Sequence, residues 1–290
     1  VVSYHTMTQQ TISWHFRAAP KDGAVVGGDA TKHAFDTNLD TLAREIIQNS
    51  KDQDLNEGPV KIKFEFIEIE GAERNEFEKA LDWKYLHTHL MGVAETSFTA
   101  AARIERELGE LDQRPGLRIL RITDFGTKGL IGPETSAEAM GADEGNFAPL
   151  LRNTLTNQRS GGGGSFGLGK SILWRYSGIA TVLFFSELSE FEDQPSKSRL
   201  FGRAHYTYHL TPGTGADNRW EGPGWFGQPN EELGCSSVWD ASPETIAALQ
   251  LNRDSGSGTT ALILDFDEPD TEDEDRPLVD AADDLYKAIE

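Results

Sequence analysis

A single cysteine, Cys235, stands in the 290 residues, so no disulfide can form within the chain. That composition suits a reducing compartment, and the expected localisation is cytoplasmic. Long apolar runs are missing too. The longest, IATVLFF at 179–185, falls far short of the roughly 20 residues that span a bilayer. The N-terminus has no basic-then-apolar leader, so no membrane partner is expected. Positive charge is scarce: 27 Lys and Arg stand against 48 Asp and Glu, a formal net charge of -21. A surface this acidic repels phosphate backbones and anionic lipid. Direct nucleic-acid contact is therefore not expected of this domain, although a local phosphate pocket is not excluded. No internal repeat is present. The chain begins at Val1 and ends inside a helical-looking stretch, DAADDLYKAIE. It is expected to belong to a longer protein, with a client or partner engaged through sequence beyond residue 290.

The hydrophobic pattern gives alternating strands and helices. TISWHF (11–16) alternates as a strand. Near Asn38 a helix begins, with Leu39, Leu42, Ala43, Ile46 and Ile47 as its buried stripe and Asn38 or Thr37 as its cap. VKIKFEFIEI (60–69) is a half-buried strand, 73–110 reads as two helices, and GLRILRITD (116–124) is another strand. From 125 to 163 the chain is polar and Gly-rich, with a short helix at FAPLLRNTL. A glycine run, SGGGGSFGLGKS (160–171), then opens a helix through ILWRY. Strands follow at 179–186 and 199–210, and 211–235 reads as an irregular insertion rich in Gly, Pro and Trp. SPETIAALQL (242–251) is a short helix with Pro243 near its first turn. TTALILDF (259–266) is a buried strand, and the acidic run DEPDTEDED is a solvated linker to a final helix.

Chemistry concentrates in a few places. REIIQNSKDQ (44–53) sets Glu45, Asn49 and Asp52 as E-x-x-x-N-x-x-D. Steps of four and three residues put these side chains on one helix face. They centre about 120° from the apolar stripe, where a pocket wall would lie. Acid, amide and acid on one face suit a general base, a metal ligand and an anchor; a wet surface has the same pattern. Asp124, at a strand end before Gly126 and Gly129, can accept a hydrogen bond from an exocyclic amine while the glycines admit a flat ring. A simple turn closing the strand is the plainer reading. Gly161 to Gly164, Gly167 and Gly169, followed by Lys170, resemble an anion-binding helix start. Residues 164–171 also satisfy G-x-x-x-x-G-K-S. A P-loop must follow directly on a buried strand, and the preceding TLTNQRSGGG is polar.

Elsewhere the signals are weaker. His87 and His89 fall on different helix faces, and His205 and His209 share a strand face without a third ligand. Cys235 reads as a small packed or exposed residue. RWEGPGWFG (219–227) reads equally as a partner contact or a packing cluster.

Taken together, four segments resemble the boxes of the GHKL ATPase superfamily (gyrase B subunits, ninety-kilodalton heat-shock chaperones, MutL and Morc proteins, sensor histidine kinases). They are EIIQNSKD (45–52), ITDFGTKG (122–129), GGSFGLGKS (163–171) and SGTTALILDF (257–266), in that family's order. The resemblance implies a Bergerat-type ATP-binding fold: an α/β (α+β) two-layer sandwich, with a mixed, mainly antiparallel sheet, helices on one face and a Gly-rich lid. The ATPase domain would span 1–270, with its lid at about 125–168. Residues 271–290 would be an acidic linker and a helix opening a following domain.

The resemblance also implies roles. Glu45 is the general base that activates water. Asn49 binds Mg²⁺ with the ATP phosphates, and Asp52 supports the first box. Asp124 accepts from the adenine amine, with Thr259 beside it. One extra residue precedes Gly129, so Gly126 is the glycine expected nearest the base. Gly167, Gly169 and Lys170 cradle phosphates, with Gly164, Phe166 and Leu168 of the same box among the ATP-binding residues. Glu45 together with Asp52 resembles the hydrolysing branch and not the kinases. The expected function is Mg²⁺-dependent ATP hydrolysis that drives lid closure and homodimerisation. The alternatives are a P-loop NTPase centred on Lys170 and a nucleotide-binding regulatory module with little turnover.

Overall fold

The computed structural model describes residues 11–20, 38–96, 98, 101–135, 145–152, 172–190, 194–212, 218–269 and 276–289. In chain order the elements are β1 (Ser13–Ala18), α1 (Leu39–Asp52), β2 (Lys61–Ile69), α2 (Gly71–Ala80), α3 (Trp83–Ala94), α4 (Ala101–Leu111), β3 (Leu117–Phe125), α5 (Phe147–Leu151) and α6 (Ile172–Arg175). After these come β4 (Thr181–Glu187), β5 (Ser198–His205), β6 (His209–Leu210), β7 (Arg219–Asn230), β8 (Gly234–Ser236), β9 (Val238–Trp239), α7 (Pro243–Ala248), β10 (Gly258–Leu264) and α8 (Leu278–Ile289).

One large open sheet organises these elements, in the order β1-β7-β5-β4-β10-β3-β2. The strand pairings among the described residues are antiparallel throughout, where a mixed sheet was expected. Successive side chains on a strand point to opposite faces, and both faces are apolar in the central strands. Ile119, Leu183, Phe185, Leu262 and Leu264 join one core with Phe77 of α2, Leu86 and Leu90 of α3 and Leu108 of α4. Leu120, Ile122, Val182, Phe184, Ala261 and Ile263 join the other, with Leu42 and Ile46 of α1, Phe147 of α5, Trp174 of α6 and Leu285 of α8. The architecture is thus α+β with helices on both faces of the sheet. The expected two-layer arrangement, with helices on one face, is corrected: β3, β4 and β10 are apolar on both pleats, and each pleat needs a cover.

Two further expectations change. Residues 73–110 hold parts of three helices, because Asp82 adopts a left-handed backbone (φ 54°) that ends α2 before α3 begins. Where described, the stretch 211–235 is not an irregular insertion. It supplies β7, which pairs with β1 on one side and β5 on the other. Its glycines mark close approach: at Gly224 the ring of Phe16 occupies the space a Cβ would need. The last helix packs on this sheet face, with Ala281 and Leu285 of α8 buried in the core that Leu42 and Ile46 of α1 also join. Among the described residues, no helix is long and apolar enough to cross a membrane.

Helix α1 starts where its sequence directs. Asn38 caps it, Oδ1 accepting from the Thr41 backbone N–H at 2.8 Å. Leu39, Leu42, Ala43 and Ile46 are buried as expected, but Ile47 is 39% exposed. The stripe continues instead to Ser50, which is 5% exposed.

Candidate functional site

Where α1 crosses the ends of β3 and β10 a cleft opens, enclosing about 150 Å³. One wall is the C-terminal half of α1: Ile46, Asn49, Ser50, Asp52 and Gln53. The floor is the sheet, with Ile122, Asp124, Phe184, Thr259 and Ala261, and the far side is closed by Leu130, Asn146, Leu150, Ile172 and Leu173. Strand register explains the floor. Ile122 and Asp124 share a pleat of β3, and Thr259 and Ala261 share the matching pleat of β10, so all four face α1. Register also sets Thr259 opposite Ser186 of β4 on that face.

Asp124 is the centre of the polar network. Its Oδ1 accepts from the Thr259 backbone N–H at 2.8 Å and from Thr127 Oγ1 at 2.7 Å. Its Oδ2 accepts from Ser50 Oγ at 3.1 Å. Strand β3, strand β10, the turn after β3 and helix α1 thus converge on one carboxylate. An ionised carboxylate offers about four acceptor sites. Three are used, which leaves one for an incoming donor. The plainer reading of Asp124, a turn closing a strand, does not account for this convergence.

Around that network the walls are apolar: Ile46, Ile122, Leu130, Leu150, Ile172, Leu173, Phe184 and Ala261 all line the cleft. No Lys or Arg is among the described lining residues, whose only charged groups are Asp52 and Asp124. A flat, neutral ligand face with an N–H donor fits these walls. Asn146 donates through Nδ2 to the Gly129 carbonyl at 2.7 Å and to Gln53 Oε1 at 3.1 Å, which ties the far wall to α1.

The expected site residues fall into three groups. Asn49, Asp52, Asp124, Gly129 and Thr259 are brought together at the cleft. Gly129, at φ +76°, packs on Ser186 and Glu187 with no room for a Cβ. Gly126, expected to lie nearer the base, is not a lining residue. Its backbone N–H instead bonds the Ser257 carbonyl at 3.1 Å. Glu45 is half-buried and lies outside the lining, one turn N-terminal to Asn49. At 1.5 Å rise per residue it sits about 7.5 Å along the axis from Ser50. Gly164, Phe166, Gly167, Leu168, Gly169 and Lys170 lie outside the described residues.

Ser50, Gln53, Thr127 and Asn146 were not singled out from sequence. Ser50 left a readable trace, a polar residue where the α1 stripe calls for an apolar one. Thr127 and Asn146 left none, because their roles depend on loops folding back over the sheet. His89 and His209, separated in sequence, meet in the opposite core at 2.8 Å. Among the described residues, no cluster of three or more His, Cys, Asp or Glu could hold a metal ion. Asn49 and Asp52 do present hard oxygen atoms at the cleft wall, the ligand type that Mg²⁺ takes alongside phosphates.

Comparison with known proteins finds no matching family model, no matching curated protein and no matching solved structure, so the functional reading rests on the geometry of this cleft.

Proposed function

We propose that this chain is a Mg²⁺-dependent ATPase of the GHKL type, in which ATP binding and hydrolysis drive a conformational switch. The observation that carries the reading is the Asp124 carboxylate. It is set in an apolar cleft, oriented by Thr259, Thr127 and Ser50, and has one acceptor position spare. An adenine ring supplies both a flat apolar face and an exocyclic N–H. The apolar side chains enclose the ring, and Asp124 selects the amine.

From that anchor the triphosphate would run along α1 toward its N-terminus, past Asn49 and then Glu45. Asn49, with Asp52 beside it, would hold Mg²⁺, which when bound neutralises charge on the phosphates. Glu45 would accept a proton from water as its oxygen attacks the γ-phosphorus and the bond to the β-phosphate oxygen breaks. Cation supply for the phosphates is assigned to Lys170 and its glycine box. Lid closure and homodimerisation are the expected consequences. A client would be engaged outside this domain. The second helical layer, α2 to α4, departs from the two-layer fold that the resemblance implies.

The P-loop alternative is not favoured. β10 lies between antiparallel neighbours, and TLTNQRSGGG, directly before the pattern, is polar, whereas a P-loop follows directly on a buried strand. The regulatory-module alternative has one observation on its side, the position of Glu45 outside the cleft lining. One experiment separates it from hydrolysis. Purified protein with Mg²⁺ and γ-labelled ATP should release phosphate in single turnover, and Glu45→Ala should bind ATP with unchanged affinity and release none. Wild-type release by Glu45→Ala would remove Glu45 as the base. Binding without release by the wild type would favour the regulatory module.

A further inference from the structure

The pleat that faces away from the cleft carries a second network directly behind Asp124. Arg253, in the turn between α7 and β10, donates through Nη2 to the Asp124 carbonyl at 2.9 Å and to the Gly256 carbonyl at 3.2 Å. Its Nη1 reaches Thr260 Oγ1 at 3.4 Å, and its guanidinium lies 5.0 Å from the Phe125 ring centroid. Thr260 Oγ1 is in turn 3.3 Å from Thr123 Oγ1 on β3. Thr123 and Thr260 are the residues next to Asp124 and Thr259, so by strand alternation they face the opposite side of the sheet.

The turn itself is wrapped around Asp124. The Ser257 carbonyl accepts from the Gly126 N–H at 3.1 Å, and the Thr259 N–H donates to Asp124 Oδ1 at 2.8 Å. Between them Gly258 has φ +143°, and its Cα is enclosed by the Asp124 carbonyl and carboxylate and the Arg253 guanidinium, with no space for a Cβ. One guanidinium therefore bridges the strand that carries the carboxylate and the turn that delivers the N–H orienting it. A lysine could not do the same: a single ammonium cannot contact two carbonyls and a hydroxyl in this planar fork while stacking on a ring.

We propose that Arg253 is a positioning residue for ligand recognition, holding Asp124 and Thr259 in the relative orientation that leaves the carboxylate's spare acceptor site aimed into the cleft. This rests on reading the cleft as an adenine site. Arg253 touches no ligand itself, so its effect should be confined to the interaction that Asp124 makes.

The test compares ATP with purine riboside triphosphate, which lacks only the exocyclic amine, by calorimetry with Mg²⁺. Wild-type protein should bind ATP about tenfold or more tightly than the analogue, the worth of one hydrogen bond to a charged group. Arg253→Ala should bring that ratio close to one while leaving affinity for the analogue within about twofold. Arg253→Lys should give an intermediate ratio, and it carries the test alone if the alanine variant does not fold. An unchanged ratio in a folded variant overturns the proposal. So does an equal loss for both nucleotides, which would mark a general loosening. If the wild type binds neither nucleotide, or both equally, the adenine reading fails and the proposal falls with it.

Discussion

Replacing Asp124 with asparagine separates recognition from architecture. Oδ1 accepts from both the Thr259 N–H and Thr127 Oγ1, and the carbonyl of an asparagine can keep both bonds. The new NH₂ would occupy the Oδ2 position facing Ser50 Oγ, now 3.1 Å away. A serine hydroxyl can rotate to accept as readily as it donates. The free protein should therefore lose little, about 1 kcal/mol or less. The ligand interaction should suffer much more, because an acceptor aimed at an exocyclic amine becomes a donor facing a donor. Losing a hydrogen bond to a charged group costs about 1.5–3 kcal/mol, or roughly tenfold to 150-fold in affinity. Calorimetric titration with a non-hydrolysable ATP analogue measures the second quantity, and a urea melt of the free protein measures the first. An unchanged Kd for Asp124→Asn would remove Asp124 from base recognition. A large loss of stability with no separate binding effect would make Asp124 a structural residue only.

Two further predictions concern stability. His209 Nδ1 lies 2.9 Å from the Thr207 carbonyl, an acceptor only, so that nitrogen carries the proton and Nε2 accepts from His89 Nδ1. Burial pushes His89 down to about 3, with the charge of His209 adding to the effect, and pushes His209 down to about 4. Both folded values lie below the unfolded 6.5, so the unfolded chain binds more protons and stability is lost as pH falls below about 6.5. Asp265, raised to about 7 by burial despite Arg114 and with help from Glu107 and Asp267, acts in the opposite sense as pH falls from 7. The informative quantity is therefore a difference between proteins. His209→Asn should flatten the slope of unfolding free energy between pH 4.5 and 6 by up to about 1.4 kcal/mol per pH unit, measured by urea melts; an identical slope would show that His209 does not titrate there. Arg199, 1% exposed, pairs with Glu134 at 2.9 Å and donates to the Leu130 and Gly132 carbonyls at 3.1 and 2.8 Å. Glu134 keeps Arg152 and the Ser237 N–H, each at 3.1 Å, so Arg199→Met should cost about 2 kcal/mol or more by removing the donor from the two buried carbonyls, seen as a lower urea midpoint at unchanged m; a cost below about 1 kcal/mol would contradict this.

The amino-acid sequence by itself determined the local elements and the identity of the central polar residues. Asn38 or Thr37 could be read as the cap of α1 because a short oxygen-bearing side chain before an apolar periodicity has few other uses, and the folded helix uses Asn38. The strand ending at Asp124 and the strand beginning near Thr259 could be read because burial on a pleated sheet imposes its period on the sequence. Other features depended on three-dimensional closure. The glycines and prolines of 219–230 read as irregular, yet Gly224 is required by the ring of a residue far away in sequence, Phe16. Only the folded sheet shows that both pleats are covered, because a strand apolar on both sides does not say which helices cover which face. The cleft divides in the same way. Asn49, Asp52 and Asp124 were legible as candidate site residues, and all three line the cleft. Tertiary structure decided that Ser50, Thr127 and Thr259 share one carboxylate, and that Arg253 holds it from behind. Hydrogen bonds across 74 and 135 residues of chain (Ser50 and Thr259 to Asp124) leave no trace of which partners they join, because their geometry exists only after the strands have paired.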